Sequence, residues 1–109
     1  MTSPQANRVE YVSQAIIRLK FNNSQYPELI AKGQLKAQYL RDALLKDPGN
    51  RRYPEPDGTH SQTIRYLDDN GQWLVEVHQY MQPDGTIGGS GKPDPKRLRL
   101  GNTVFIVER

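Results

Sequence analysis

The sequence predicts an α+β fold in which two N-terminal helices pack on one face of a four- to five-stranded antiparallel meander. Three observations support this prediction. Apolar residues recur at helical spacing in the first half, they alternate with polar residues in the second half, and Asn, Gly and Pro separate the alternating runs. At 109 residues the chain has the size of one domain. We divide it into a helical part, 7–47, a linker, 48–60, and a β part, 61–108.

The first predicted helix rests on apolar residues at helical spacing, namely Val9, Val12, Ile16 and Leu19. Asn7 is the expected N-cap, and Glu10 stands three residues later, as in a capping box. Residues 17–21 also alternate like a strand, so both structures remain open for that stretch.

The second predicted helix runs from about Pro27, a residue that suits a first helical position, to Lys46. Its apolar stripe consists of Ile30, Gly33, Ala37, Leu40 and Leu44. Asp47-Pro48-Gly49 ends it, because proline cannot continue a helix. The prolines and glycines of residues 48–60 then indicate a linker.

Asn70-Gly71 is a strong hairpin signal, because both residues tolerate the positive φ angles of a tight turn. A two-residue turn here sets the pairs Leu67–Leu74, Tyr66–Val75, Arg65–Glu76, Ile64–Val77 and Thr63–His78. One face of the hairpin then carries Ile64, Tyr66, Trp73, Val75 and Val77. The other face carries Thr63, Arg65, Glu76, His78 and Tyr80.

Two further turns complete the predicted sheet. Pro83-Asp84-Gly85 predicts a turn that sets Met81 opposite Ile87. Gly101-Asn102 predicts a hairpin between Leu98–Leu100 and Thr103–Val107, and the second of these runs is apolar enough for the middle of a sheet.

Composition limits the functional classes. The chain has no cysteine, which excludes disulfides and thiolate chemistry. It has no apolar run long enough to span a membrane and no signal-peptide pattern at its start, so we expect a soluble, cytoplasmic protein with no membrane partner. The turn-rich second half resembles short bacterial and mobile-element proteins, a resemblance that implies no activity.

Positive charge is concentrated at the C-terminal end. Residues 85–109 contain five Lys or Arg and two Asp or Glu, whereas residues 1–84 contain ten of each, so the last segment supplies the whole net charge of +3. This distribution predicts an anionic partner, either nucleic acid or an acidic protein surface. The candidate binding residues are Lys92, Lys96, Arg97 and Arg99, together with Arg51, Arg52 and Tyr53 of the linker.

The glycine-rich run Gly88–Gly91 is not a nucleotide-hydrolysing loop. Thr86 and Pro93 stand where that motif requires a glycine and a serine or threonine, and Pro93-Asp94-Pro95 opposes the helix that must follow. Successive glycine amides can still form an anion-binding concavity. We therefore place the predicted binding loop at Gly88–Arg99.

The polar hairpin face offers one candidate catalytic set, His78, Glu76 and Arg65. These residue types suit metal-independent phosphodiester cleavage, with His78 or Glu76 as general base and Arg65 as the stabiliser of charge on phosphorus. The set resembles those of small bacterial ribonucleases and toxin-type nucleases in residue types only. A structural alternative is a cross-strand ion pair between Arg65 and Glu76.

Three functions follow, in this order. We expect a small binding or adaptor module without enzymatic activity. The first alternative is the toxin-like nuclease, and the second is an interaction-only protein that forms homo-oligomers through a sheet edge or an apolar helix surface. The histidine spacing and the lack of cysteine predict no metal site, and no sequence motif predicts a cofactor.

Overall fold

A computed structural model describes residues 8–108 as an α+β fold with a six-stranded mixed sheet and two short helices. The elements, in chain order, are β1 (Arg8–Val12), α1 (Gln14–Asn22), α2 (Tyr26–Ala31), β2 (Lys36–Leu44), β3 (His60–Leu67), β4 (Trp73–Met81), β5 (Asp94–Leu100) and β6 (Thr103–Val107). No helix within this range is long and apolar enough to cross a membrane.

The sheet has the strand order β1-β6-β5-β4-β3-β2. Strands β2 to β6 are antiparallel to their neighbours and follow one another in sequence, which makes them a five-stranded meander. Strand β1 joins the far edge in parallel with β6. The predicted meander is therefore present in part: β3 to β6 come from the predicted β part, whereas β1 and β2 come from the part predicted as helical.

The first predicted helix is wrong in its first turn and in its buried stripe. Residues 8–12 form β1, and α1 begins only after Ser13, whose Oγ accepts a hydrogen bond from the Ile16 backbone N–H. The predicted cap Asn7 lies outside the described residues. Ile16 and Leu19 are exposed, whereas Ile17 and Phe21 are buried, so the helix face that meets the sheet is not the predicted apolar stripe. Residues 17–21 are helical.

The second predicted helix, which was expected to begin at about Pro27, is wrong beyond its fifth residue. Helix α2 ends at Ala31, and Gly33 adopts φ +68°, a left-handed conformation that commonly ends helices. The chain then forms β2, whose residues are almost all exposed because it is the edge strand of the sheet. An exposed strand does not need an alternating apolar pattern, so the helical spacing of its few apolar residues was coincidental.

The core lies between α1 and one face of the sheet. Ile17 and Phe21 of α1 pack with the buried sheet residues Ile64, Val75, Val77, Leu98 and Phe105. Burying an aliphatic or aromatic side chain of this size stabilises a fold by about 1.5–3 kcal/mol. One sheet face is therefore covered by α1, with α2 adding only the partly buried Tyr26 and Ile30, and both helices are shorter than predicted.

The β3–β4 hairpin has the predicted register and a different turn. Asp68 N–H donates to the Gln72 carbonyl and Gly71 N–H donates to the Asp68 carbonyl, so three residues rather than two form the turn. Because of the extra turn residue, Leu67 pairs with Trp73. A bulge at Leu74 compensates for this shift, so the predicted pairs are present from Tyr66–Val75 onward. The prediction that Leu67 faces Leu74 is therefore wrong.

The second predicted turn is present, with a bridge between Met81 and Ile87. Strand β5 begins at Asp94, opposite His78, four residues earlier than predicted. Residues 88–93 leave the sheet between these two points. The end of β4 beyond His78 consequently has no β5 residue beside it.

Candidate functional site

Alternation along the strands places a set of polar side chains on the sheet face opposite the helices, which we call the open face. The set comprises Ser61, Thr63 and Arg65 of β3, Glu76, His78 and Tyr80 of β4, and Arg97 and Arg99 of β5. The hairpin register brings the three predicted catalytic residues, Arg65, Glu76 and His78, onto this face as expected.

One end of the open face is a closed network, which we call the Trp73 cluster: Arg65, Trp73, Glu76, Arg97 and Arg99. Arg65 donates to Glu76 Oε1 at 3.0 Å, and Arg97 Nε lies 3.8 Å from Glu76 Oε2. The guanidinium groups of Arg65 and Arg99 lie 5.7 and 4.8 Å from the centre of a Trp73 ring. Glu76 is therefore shared by Arg65 and Arg97, and Trp73 contacts Arg65 and Arg99, so each guanidinium group of this cluster has a partner within it.

Trp73 joins this cluster because of the hairpin bulge. The sequence pattern had assigned it to the helix-covered face, but its pairing with Leu67 puts it beside Arg65. Arg99 Nε also donates to the Trp73 carbonyl at 3.2 Å. Arg65 Nε is buried without a hydrogen-bond acceptor, and its side chain lies against the indole, whose π face is a weak acceptor.

The other end of the open face is the His78 site: Arg51, Ser61, His78 and Tyr80. His78 Nε2 lies 2.9 Å from Ser61 Oγ. The His78 and Tyr80 rings meet edge to face, with centroids 4.8 Å apart. Arg51 donates to the Tyr80 hydroxyl at 2.7 Å and its guanidinium lies 4.9 Å from the Tyr80 ring centre.

The pKa of His78 is lowered from its ordinary value of 6.5. Burial contributes most, because a half-buried imidazolium loses hydration. The charges of Lys96, Arg41 and Arg51 lower the pKa further, and Asp94 acts in the opposite direction. His78 is therefore neutral at pH 7 among several cations, and one ring nitrogen can accept a proton.

His78 and Tyr80 line an open groove at the point where β4 extends beyond β5. We call two stretches of its lining the groove walls, namely residues 51–55 and residues 87–90 with 92–94. Residues of α1, α2, β2 and β3 also line it. The groove encloses about 1660 Å³, more than the roughly 300–1,000 Å³ of most small-molecule pockets. Its size suits an extended ligand.

The two groove walls meet at Glu55 and Gly88. Glu55 is buried and accepts a hydrogen bond from Gln82 Nε2 at 2.8 Å. Its carboxylate lies so close to Gly88 that a Cβ built there would fall 2.2 Å from Oε1. Gly88 N–H donates to the Tyr80 carbonyl, which ties this contact to the groove floor.

The predicted binding residues separate into three groups. Arg51, Arg52, Tyr53 and Lys92 line the groove. Lys96 donates a hydrogen bond to Gln14 of α1 at 2.7 Å, and its charge lowers the pKa of His78. Arg97 and Arg99 belong to the Trp73 cluster.

None of Arg51, Arg52 and Lys92 forms an ion pair with a carboxylate of residues 8–108. Arg52 lies 5.5 Å from the ring centre of Tyr53, which is 71% exposed. The groove therefore offers cationic groups and an accessible aromatic ring together.

Sequence reasoning missed Ser61 and Arg18. The hairpin register could have revealed Ser61, because it is paired with Tyr80 and lies diagonally from His78. Arg18 lines the groove from α1 and bonds Asp94 at 2.8 Å, a contact between residues 76 positions apart that no local pattern indicates. His60, expected in a solvated loop, begins β3 and bonds Asp42 at 2.8 Å. That hydrogen bond is the main cause of the lowered pKa of Asp42.

Comparison with known proteins identifies no relative. No family model matches the chain, and neither the curated proteins nor the solved structures searched contain a significant match.

Proposed function

We propose that the chain is a small binding module that holds single-stranded nucleic acid in the groove. The residues that carry this proposal are Arg51, Arg52, Tyr53, His78 and Lys92, which line one groove. The glycine–proline loop predicted as the binding element supplies one groove wall at residues 87–90 and 92–94.

Unneutralised cations beside an exposed aromatic ring support nucleic acid as the ligand. Arginine and lysine contact phosphates, and a base stacked on an aromatic side chain contributes about 1–3 kcal/mol. Stacking on Tyr53 requires an unpaired base, which favours a single strand over a duplex. An acidic protein surface would use the cations and leave the exposed ring without a role.

The test is fluorescence anisotropy of a labelled single-stranded DNA 12-mer over a range of salt concentrations. The triple variant Arg51→Ala, Arg52→Ala, Lys92→Ala is expected to bind at least tenfold more weakly at low salt. Each phosphate contact to a single strand contributes about −0.7 to the slope of log affinity against log salt. The slope should therefore become shallower by about 2.

A matched control removes three cations that do not line the groove: Arg8→Ala, Lys36→Ala, Lys46→Ala. This variant has the same net charge as the groove variant, so we expect it to keep most of the wild-type affinity. Equal losses in the two variants would contradict a groove site. The absence of binding by the wild-type protein at low salt would contradict the function itself and leave the acidic protein surface as the ligand class to examine.

A further inference from the structure

We propose that the groove not only binds RNA but cleaves it, with His78 as general base and Tyr80 as general acid. This inference rests on the proposed function, because the strand must first lie in the groove. To the proposed function it adds a reaction, RNA as the substrate class, and two catalytic residues. In this reaction His78 acts without Arg65 and Glu76, which belong to the Trp73 cluster.

The hydrogen bonds of His78 leave one nitrogen free to act as a base. When Nε2 carries the proton and donates it to Ser61 Oγ, at 2.9 Å, the lone pair is on Nδ1. Nδ1 has no hydrogen-bond partner among the described residues. Ser61 is thus a positioning residue that holds the Nε2 side of the ring, and its hydroxyl can accept the Nε2 proton.

Tyr80 is arranged to give up a proton. Its hydroxyl oxygen accepts a hydrogen bond from Arg51 at 2.7 Å, so its own O–H remains available as a donor. The Arg51 guanidinium also lies beside the oxygen from which the proton would leave. Tyr80 and His78 are two residues apart on one strand, and their rings are in contact.

The cations around His78 match the charge that develops during cleavage. Arg51 contacts Tyr80 directly, and Arg41 and Lys96 act on His78 through their charges. A phosphodiester under attack gains a second negative charge on its non-bridging oxygens. Fixed cations stabilise that transition state more than the ground state.

These groups fit one balanced reaction. His78 Nδ1 accepts the proton of a ribose 2′-hydroxyl, and the 2′-oxygen forms a bond to the neighbouring phosphorus. The bond from phosphorus to the 5′-oxygen breaks, and that oxygen takes the Tyr80 proton. The products are a 2′,3′-cyclic phosphate and a 5′-hydroxyl, and a proton passes from His78 to Tyr80 through solvent to restore both. DNA lacks the attacking hydroxyl, so it binds without being cleaved.

The experiment incubates the protein with a labelled RNA 12-mer and with the same sequence in DNA, in EDTA, and identifies the products by mass spectrometry. We expect RNA to yield 2′,3′-cyclic phosphate ends and DNA to stay intact. Loss of a general base or acid typically costs 10²–10⁴-fold in rate. His78→Gln and Tyr80→Phe are each expected to lower the cleavage rate about 100-fold or more. Thr63→Val, opposite His78 in the register, is the control expected to keep it.

Anisotropy on the same variants separates this inference from the binding proposal. Two results together support both proposals: the wild-type protein binds DNA, and His78→Gln binds RNA without cleaving it. Binding of RNA by the wild type without cleavage overturns the inference and leaves the proposed function standing. Cleavage that survives in an identically purified His78→Gln protein also overturns it, because that activity is a contaminant or belongs to another site. Absence of RNA binding overturns the proposed function itself.

Discussion

The two ends of the open face use the same residue types to different effect. In the Trp73 cluster, Glu76 lies between two arginines and the indole contacts two guanidinium groups. In the His78 site, Arg51 bonds a tyrosine hydroxyl rather than a carboxylate, and the histidine is half-buried among cations.

The difference between the two ends is whether the cations have a carboxylate partner within the protein. One glutamate of β4 is shared by an arginine of β3 and an arginine of β5, which links three strands to one another. In the groove, no carboxylate of residues 8–108 pairs with Arg51, Arg52 or Lys92, so these cations remain available to an anionic ligand. We therefore expect substitutions in the Trp73 cluster to affect stability, and substitutions in the groove to affect ligand binding.

The largest effect on stability is expected for Glu76→Ala. The Glu76 side chain is 14% exposed, and its loss leaves two arginines without a carboxylate. Removing one partner from a largely buried polar pair costs about 1–3 kcal/mol in the free energy of unfolding. Urea denaturation measures this, with Arg97→Ala as the control. Arg97 is 50% exposed and 3.8 Å from the carboxylate, so its loss is expected to cost about 0.5 kcal/mol. Equal costs for the two variants would show that the carboxylate is not the centre of the network.

A similar or smaller loss of stability is expected for Gly88→Ala in the groove wall. The added methyl would overlap the Glu55 carboxylate, and overpacking of this kind typically costs about 1–3 kcal/mol. The cost should fall when Glu55→Ala is also present, which a double-mutant cycle measures by urea denaturation. Gly49→Ala is the control, because nothing lies within 4 Å of its added Cβ. An unchanged cost in the double variant would mean that Glu55 does not hold this wall.

A smaller effect is expected from the titration of His78. Its pKa is lower in the folded protein than in the unfolded chain, so the unfolded chain binds more protons as the pH falls below about 7. The stability from this group is therefore complete above pH 6.5 and is lost as the pH falls from there through the folded pKa. Urea denaturation at pH 7.5 and pH 5 should show a smaller pH dependence for His78→Gln than for the wild type. An identical dependence in both proteins would contradict the lowered pKa.

The sequence predicted the part of the site that depends on local pairing. The Arg65–Glu76 and Thr63–His78 pairs followed from Asn70-Gly71 and the alternation of apolar residues, and they are correct. The position of Trp73 was wrong because one extra turn residue is compensated by a bulge. The longer turn and the bulge shift the strand register in opposite directions and cancel. A correct register prediction therefore says nothing about the length of the turn or the presence of a bulge.

Sequence patterns could not predict two other features, strand β2 and the groove, and the reasons differ. Strand β2 is exposed along its length, so it carries no apolar alternation that distinguishes it from a helix. The groove forms where residues 51–55 and 87–94 meet around β4. That meeting depends on contacts such as Glu55–Gln82, between residues 27 positions apart, which leave no periodic signal.

The smallest expected effect separates the two ends of the open face most directly. Trp73 is the single tryptophan of the chain, so tryptophan fluorescence reports on the Trp73 cluster and not on the groove. Arg99→Ala should change the emission without ligand, because a guanidinium 4.8 Å from the ring is removed. Single-stranded DNA bound in the groove should leave the wild-type emission unchanged while the anisotropy of the labelled DNA rises to saturation. Quenching of Trp73 that follows the anisotropy curve would instead place the strand on the arginines of the Trp73 cluster, and the distinction between a satisfied end and a ligand-binding end would fail.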